Sequence, residues 1–168
     1  QKQAERFGTQ VRYGLITKVD FSEYPLKVWV DDKVEVTAES VIISTGASAK
    51  YLGLESEKTF ANKGVSACAV CDGFFYKGKN VAVVGGGDTA AEEATYLANL
   101  CPKVYLLVRR DEMRASTIMQ ERVKNTPNIE VLWHTEAEEV LGDDTGVTGV
   151  RVVNNQTKET KDLDISGF

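Results

Sequence analysis

Between Asn80 and Val108 the chain reads as strand, glycine turn, helix and strand, and that order leaves little choice of architecture. Asn80–Val84 (NVAVV) is a continuous apolar run, the kind expected of a strand covered on both faces in a parallel sheet. Gly85-Gly86-Gly87 breaks the run. Ala90, Ala94, Leu97 and Ala98 then recur at helical spacing and share one face. Cys101-Pro102-Lys103 stops the helix, and Val104–Val108 (VYLLV) is the next buried strand. Together they make one βαβ unit of about 30 residues.

The flanking segments extend this unit without repeating it. A second helix is predicted from Ser116 to Asn125, opened by Ser116 or Thr117, with Gln120 placed for a capping box. Ile129–Trp133 is a third strand. From Glu138 onward, turn signals at Gly142-Asp143-Asp144 and Asn154-Asn155 separate Val147–Val153 from Lys158–Ile165, an antiparallel meander. Upstream, Gln1–Phe7 reads as the tail of a helix and Val11–Thr17 alternates like a strand. Lys27–Val30 and Val34–Thr37 form a hairpin-like pair around Asp31-Asp32-Lys33. Ser40–Ser44 is a short apolar run ended by small residues, Thr45-Gly46-Ala47-Ser48-Ala49. These first strands have nothing obvious to cover them, and the chain stops at Phe168 where a new strand could begin. Both ends are therefore expected to be cuts through a larger protein.

Composition narrows the function classes. The 168 residues are 42% hydrophobic and carry a net charge of −5, enough for a core but the wrong sign for a nucleic-acid groove. No apolar run approaches the roughly 20 residues of a membrane span, and the polar start lacks the apolar centre of a signal peptide. Three unevenly spaced cysteines do not make a secreted disulfide framework. A cytoplasmic α/β protein is the expectation.

The glycine turn fits G-x-G-x-x-A over Gly85, Gly86, Gly87, Asp88, Thr89 and Ala90. In that pattern the first glycine permits the tight turn, Gly87 lets the backbone approach a pyrophosphate, and small Ala90 allows close helix–strand packing. The helix N-terminus offers free N–H groups and a positive dipole to phosphate. An NAD site usually places an acidic residue about 20 residues further on, against the adenosine ribose 2′-hydroxyl. Here the second strand ends in Arg109-Arg110-Asp111-Glu112-Met113-Arg114. Guanidinium groups suit a 2′-phosphate, so NADPH is the expected nucleotide. The plainer alternative is a solvated charge cluster in which Asp111 and Glu112 neutralise the arginines.

Ala67-Cys68-Ala69-Val70-Cys71-Asp72-Gly73 is the sharpest local feature. A lone C-x-x-C points to redox or metal chemistry. Zinc needs about four ligands, and only Cys101 and the single histidine, His134, remain. A dithiol cycling with a disulfide is the favoured reading, with Asp72 able to give and take the proton that thiol–disulfide exchange requires. An inert buried pair is the alternative. Cys101 reads as a buried small hydrophobe, and His134 as structural or exposed.

With these residues the chain resembles bacterial-type (low molecular weight) thioredoxin reductase. The resemblance rests on Ser44–Leu54 (STGASAKYLGL), Gly64–Tyr76 (GVSACAVCDGFFY), Val81–Ala94 (VAVVGGGDTAAEEA) and Val108–Ser116 (VRRDEMRAS). That family more often has CATCDG and HRRxxFRA, so Val70, Val108 and Met113 are departures. The resemblance covers essentially all of this chain but only the middle of a family chain. It implies an α/β fold in which residues 1–51 are a partial FAD-binding segment. Residues 52–168 would then be a Rossmann-like three-layer NADPH-binding domain with an antiparallel β-meander, carrying the redox-active C-x-x-C. The crossover would lie near Leu52-Gly53. It further implies that Cys71 faces the flavin, Cys68 attacks thioredoxin and Asp72 is the general acid/base. Gly85, Gly87, Thr89 and Ala90 would hold the pyrophosphate, with Arg109, Arg110 and Arg114 around the 2′-phosphate. Thr45, Gly46 and Ala47 match the family's flavin-side turn. The partner implied is thioredoxin, which Phe74 and Phe75 could meet if exposed, and the whole protein would be a homodimer. With most of the flavin cradle missing, the chain alone is not expected to hold FAD or to turn over.

Three alternatives stand beside this reading. The flavoprotein subunit of alkyl hydroperoxide reductase shares the fold and a C-x-x-C-D-G. A non-catalytic NADP-binding module would use its cysteines structurally or on a metal. A flavin ferredoxin–NADP reductase relative would lack the cysteine pair.

Overall fold

Alternation along the two central strands decides the layering of this chain. The computed structural model describes residues 1–46 and 48–168, and these fall into two units, Gln1–Ser48 and Ala49–Phe168. In the first unit a short helix, α1 (Lys2–Glu5), precedes three strands: β1 (Ile16–Asp20), β2 (Leu26–Val30) and β3 (Val34–Ala38). They pair antiparallel in the order β1-β2-β3. The β2–β3 hairpin forms where expected. Asp31 and Asp32 take φ of 51° and 56°, the left-handed pair that a tight hairpin turn demands.

Two expectations in this unit need correction. The strand predicted over Val11–Thr17 is displaced to Ile16–Asp20. Pairing explains the shift: β1 matches Asp20 to Lys27 and Ile16 to Val30, which exhausts β2. Asp31 then closes the pairing, its carboxylate accepting from the Leu15 N–H at 2.9 Å and its own N–H reaching the Leu15 carbonyl at 2.8 Å. Residues 11–15 alternate but find no strand to pair with. The apolar run at 40–44 joins no strand either, and Ile42 and Ile43 are exposed.

In the second unit α2 (Glu55–Thr59) and α3 (Ala69–Asp72), the latter continued by a 3-10 turn at Gly73–Tyr76, lead into the βαβ unit. That unit is β4 (Val81–Val84), α4 (Asp88–Ala98) and β5 (Val104–Val108). It is followed by α5 (Thr117–Lys124) and β6 (Ile129–Trp133). β4, β5 and β6 form a parallel sheet in that order, Val81 beside Val104 and Val104 beside Ile129. An antiparallel sheet follows, β7 (Thr135–Asp143), β8 (Gly146–Asn154) and β9 (Thr160–Asp164).

Each face of the parallel sheet buries its own core, because successive side chains on a strand point opposite ways. Val81, Val83, Leu106 and Val108 face the helices and pack with Ala90, Ala94, Leu97 and Val123. Ala82 and Leu107 face the antiparallel sheet and pack with Val140, Val150, Val152 and Leu163. Helices, parallel sheet and antiparallel sheet thus make three layers. The continuous apolar character of VAVV and VYLLV follows from this coverage.

The meander has one strand more than the sequence reading allowed. β7 was not predicted, and it pairs with β8 from Thr135↔Asn154 to Asp143↔Gly146. The capping box expected at the start of α5 is also absent. Ser116 makes no side-chain cap, and the Gln120 amide instead donates to the carbonyls of Met113 (3.3 Å) and Ala115 (2.8 Å).

Candidate functional site

The glycine turn sits where β4 gives way to α4. Gly85 takes φ of 144°, and a Cβ there would lie 2.8 Å from the Ala90 Cβ, so this position needs a glycine as much as position 90 needs a small residue. Gly87 is the N-cap of α4, and a Cβ on it would meet nothing within 4 Å. The space in front of the helix is open at that point. The first intrahelical bond runs from the Ala91 N–H to the Gly87 carbonyl at 3.1 Å. The N–H groups of Asp88, Thr89 and Ala90 lie ahead of it, where a helix has no internal partner for them. Open space, free donors and a positive dipole end fit a pyrophosphate.

Arg109, Arg110 and Arg114 follow β5 and are all exposed. Among the described residues no ion pair engages any of the three; the ionic contacts fall on Lys58, Lys103 and Arg151. Asp111 and Glu112 are exposed beside them and form no close ion pair with them. The loop that carries the arginines is fastened by its backbone. The Arg109 carbonyl accepts from the Asn155 amide at 2.8 Å, and the Arg110 carbonyl from the His134 N–H at 3.1 Å. Met113 and Ala115 are buried and their carbonyls take the two Gln120 bonds. His134, half-buried at φ of 54°, thus has a structural place here.

Asp88, counted from the sequence among the nucleotide-binding residues, spends its carboxylate elsewhere. One oxygen accepts from the Ser116 N–H at 2.9 Å and the Ser116 hydroxyl at 2.8 Å. The Ser116 amide and then its hydroxyl hold the carboxyl below the usual value of 3.8.

The cysteine pair lies on the turn that opens α3. Cys68 and Cys71 are joined by a disulfide with Cα atoms 5.3 Å apart. Cys68 is half-buried and Cys71 exposed. The Cys71 N–H points at the Cys68 sulfur, 3.2 Å away. Asp72 is half-buried and accepts at 2.5 Å from the Ser66 hydroxyl, whose oxygen in turn accepts the Cys68 N–H at 3.1 Å. Ser66 thereby ties the dithiol backbone to the carboxylate. Tyr76 lies close enough that burial, and then the Asp72 charge, push its hydroxyl above the usual range. The turn is seated on α4: a Cβ on Gly73 would come within 2.9 Å of Leu97, and the Glu93 carboxylate receives the Ala69 N–H at 3.4 Å. Among the described residues no group of metal-ligating side chains gathers.

The sequence reading missed Ser66 and gave Gln120 and Asn155 other parts, a capping box and a turn. Only Ser66 had a local signal, a hydroxyl two residues before the first cysteine. Cys101 is buried as expected, its thiol pushed up by desolvation. Phe74 and Phe75 are exposed, as is Val70. In the first unit Thr45 and Gly46 are exposed, and a Cβ on Gly46 would meet nothing within 4 Å. Ala47 lies outside the described residues. Thr45 and Gly46 alone do not enclose a flavin.

Comparison with known proteins agrees with these features. The family model for pyridine nucleotide-disulphide oxidoreductases matches residues 2–166. A thioredoxin reductase of Debaryomyces hansenii is 49% identical over 173 aligned residues, covering 100% of this chain and 54% of the relative. One from Vibrio cholerae is 49% identical over 170, covering 99% of this chain and 53% of its own length. The chain therefore spans about half the length of the curated relatives it matches. Among solved structures, Giardia duodenalis thioredoxin reductase superimposes with a TM-score of 0.77 at 41% identity, covering 99% of this chain and 54% of that one. The Lactococcus lactis enzyme in its FR conformation gives 0.75 at 35%, covering 97% and 54%. A disulfide seated on the helix of a nucleotide-type glycine turn, matched from residue 2 to residue 166, places the chain in the pyridine nucleotide-disulphide oxidoreductase family.

Proposed function

We propose that the chain is the NADPH and dithiol portion of an NADPH-dependent thioredoxin reductase. The observation that carries this is the Cys68–Cys71 disulfide packed through Gly73 onto α4, the helix whose N-terminus faces the open glycine turn. Residues 52–168 act as the NADPH-binding domain, and residues 1–51 contribute to an FAD-binding domain of the whole protein.

FAD, when bound in that protein, would relay the two electrons of NADPH to the disulfide, so that NADPH and one further proton give NADP⁺ and a dithiol. The residues of this chain do the rest. Gly85, Gly86, Gly87, Thr89 and Ala90 receive the pyrophosphate at the turn, and Arg109, Arg110 and Arg114 surround the 2′-phosphate. Cys71 would take the electrons from the flavin, and Cys68 would attack the disulfide of thioredoxin. Exchange then reforms the Cys68–Cys71 bond and leaves thioredoxin with two thiols. Asp72, held by Ser66, gives and takes the proton. Phe74 and Phe75 border the dithiol on the side open to a partner. Among the described residues no helix is long and apolar enough to cross a membrane. A cytoplasmic homodimer completes the proposal.

The test is a calorimetric titration of this chain with NADPH and, separately, with NADH. NADPH binding at least about tenfold tighter is the expected result, corresponding to one charge-assisted contact of roughly 1.5 kcal/mol. Equal affinities would remove the role given to the three arginines and leave a nucleotide domain without NADPH preference.

A further inference from the structure

Arg114, Ala115 and Ser116 are docked onto the glycine turn at Gly86 and Asp88. The Arg114 and Ala115 N–H groups both reach the Gly86 carbonyl, at 2.6 and 3.0 Å. Ser116 closes the contact with its two bonds to the Asp88 carboxylate, at 2.9 and 2.8 Å. The pairing joins residues 28 apart in the chain. Asp88 is also oddly placed for its charge: an acidic residue suits the positive end of α4, but that end faces the space open to a phosphate. Its commitment to Ser116 turns one carboxylate oxygen toward the arginine loop.

We propose that Asp88 and Ser116 are positioning residues that set nucleotide preference by latching the root of Arg114 against the glycine turn. This rests on the reading of the turn and arginines as an NADPH site. Arg109 and Arg110 have their own fastenings on Asn155 and His134, so the latch governs Arg114 alone. Without it, the root of Arg114 keeps only the two N–H bonds to the Gly86 carbonyl, the segment that follows gains freedom, and the contact of the Arg114 side chain with a 2′-phosphate must be formed against that added freedom. A dinucleotide lacking the 2′-phosphate has no use for Arg114 and is little affected. The latch therefore acts on the ratio of the two affinities.

The experiment measures NADPH and NADH affinity by calorimetry for the parent chain, Ser116→Ala, Asp88→Ala and Ser116→Thr, with circular dichroism confirming each fold. Ser116→Ala and Asp88→Ala are expected to lower the NADPH-over-NADH ratio about tenfold. Ser116→Thr keeps a hydroxyl at Asp88 and is expected to stay within about twofold of the parent. In an Arg114→Ala background, Ser116→Ala should change the ratio no further, because the two act through one contact. A parent that prefers NADPH while both alanine variants keep its ratio overturns the latch and leaves the NADPH reading standing. Equal loss of both nucleotides also overturns it, since that is the mark of a merely structural role. A parent that binds both alike overturns the NADPH reading and the latch with it.

Discussion

At the scale of single residues the glycine turn is the least forgiving place in the second unit. Gly85→Ala puts a Cβ at φ of 144°, 2.8 Å from the Ala90 Cβ, on a backbone that side chains rarely adopt. The expected cost is about 1–3 kcal/mol, read as a lower denaturant midpoint with unchanged slope. Gly87→Ala meets open space and should spare stability. Residues of this kind were legible in the sequence because their signal is contiguous: the glycine triplet, the C-x-x-C-D-G and the arginines after β5 each sit within a few positions. Asn155 was not legible, because the carbonyl it serves is 46 residues away. The bond between the Asp88 carboxylate and Ser116 was not legible either, because its partner lies 28 residues on.

At the scale of elements, buried strands declare themselves and half-buried ones do not. β5 is a run of Val, Tyr and Leu because both its faces are covered, and its fourth residue, Leu107, is fully buried against the antiparallel sheet. Leu107→Ala should cost about 2–5 kcal/mol, seen as a fall in melting temperature. A loss under 1 kcal/mol would mean that the two sheets do not share this core. β7 escaped notice for the opposite reason. Its sequence, TEAEEVLGD, places exposed Glu136, Glu138 and Glu139 among few apolar residues. Its register also shifts between Ala137 and Glu139, which breaks the period of two that a strand is read by. β1 failed in another way: alternation marks what can be a strand, and the partner decides which part of it becomes one.

For the whole molecule, the three cysteines divide into a pair that can be opened and one that is shut away. Mass spectrometry after alkylation checks this. The oxidised chain should take no label under native conditions, and reduction should admit two, at Cys68 and Cys71. Cys101, 3% exposed with its sulfur on the Tyr76 carbonyl at 3.4 Å, should react only in denaturant. Early labelling of Cys101 would mean that the packing beneath α4 opens more readily than a closed core allows. A second property of the whole lies in how the loop after β5 is held. Apart from the Ser116 hydroxyl, its own contributions to the fastening are main-chain carbonyls and N–H groups, which every amino acid but proline supplies in full. The side chains at 109, 110 and 114 are left out of the fastening. A lineage could therefore rewrite those three positions, trading one nucleotide for another, while the scaffold beneath kept its shape. The loop is a fixed socket with interchangeable contacts.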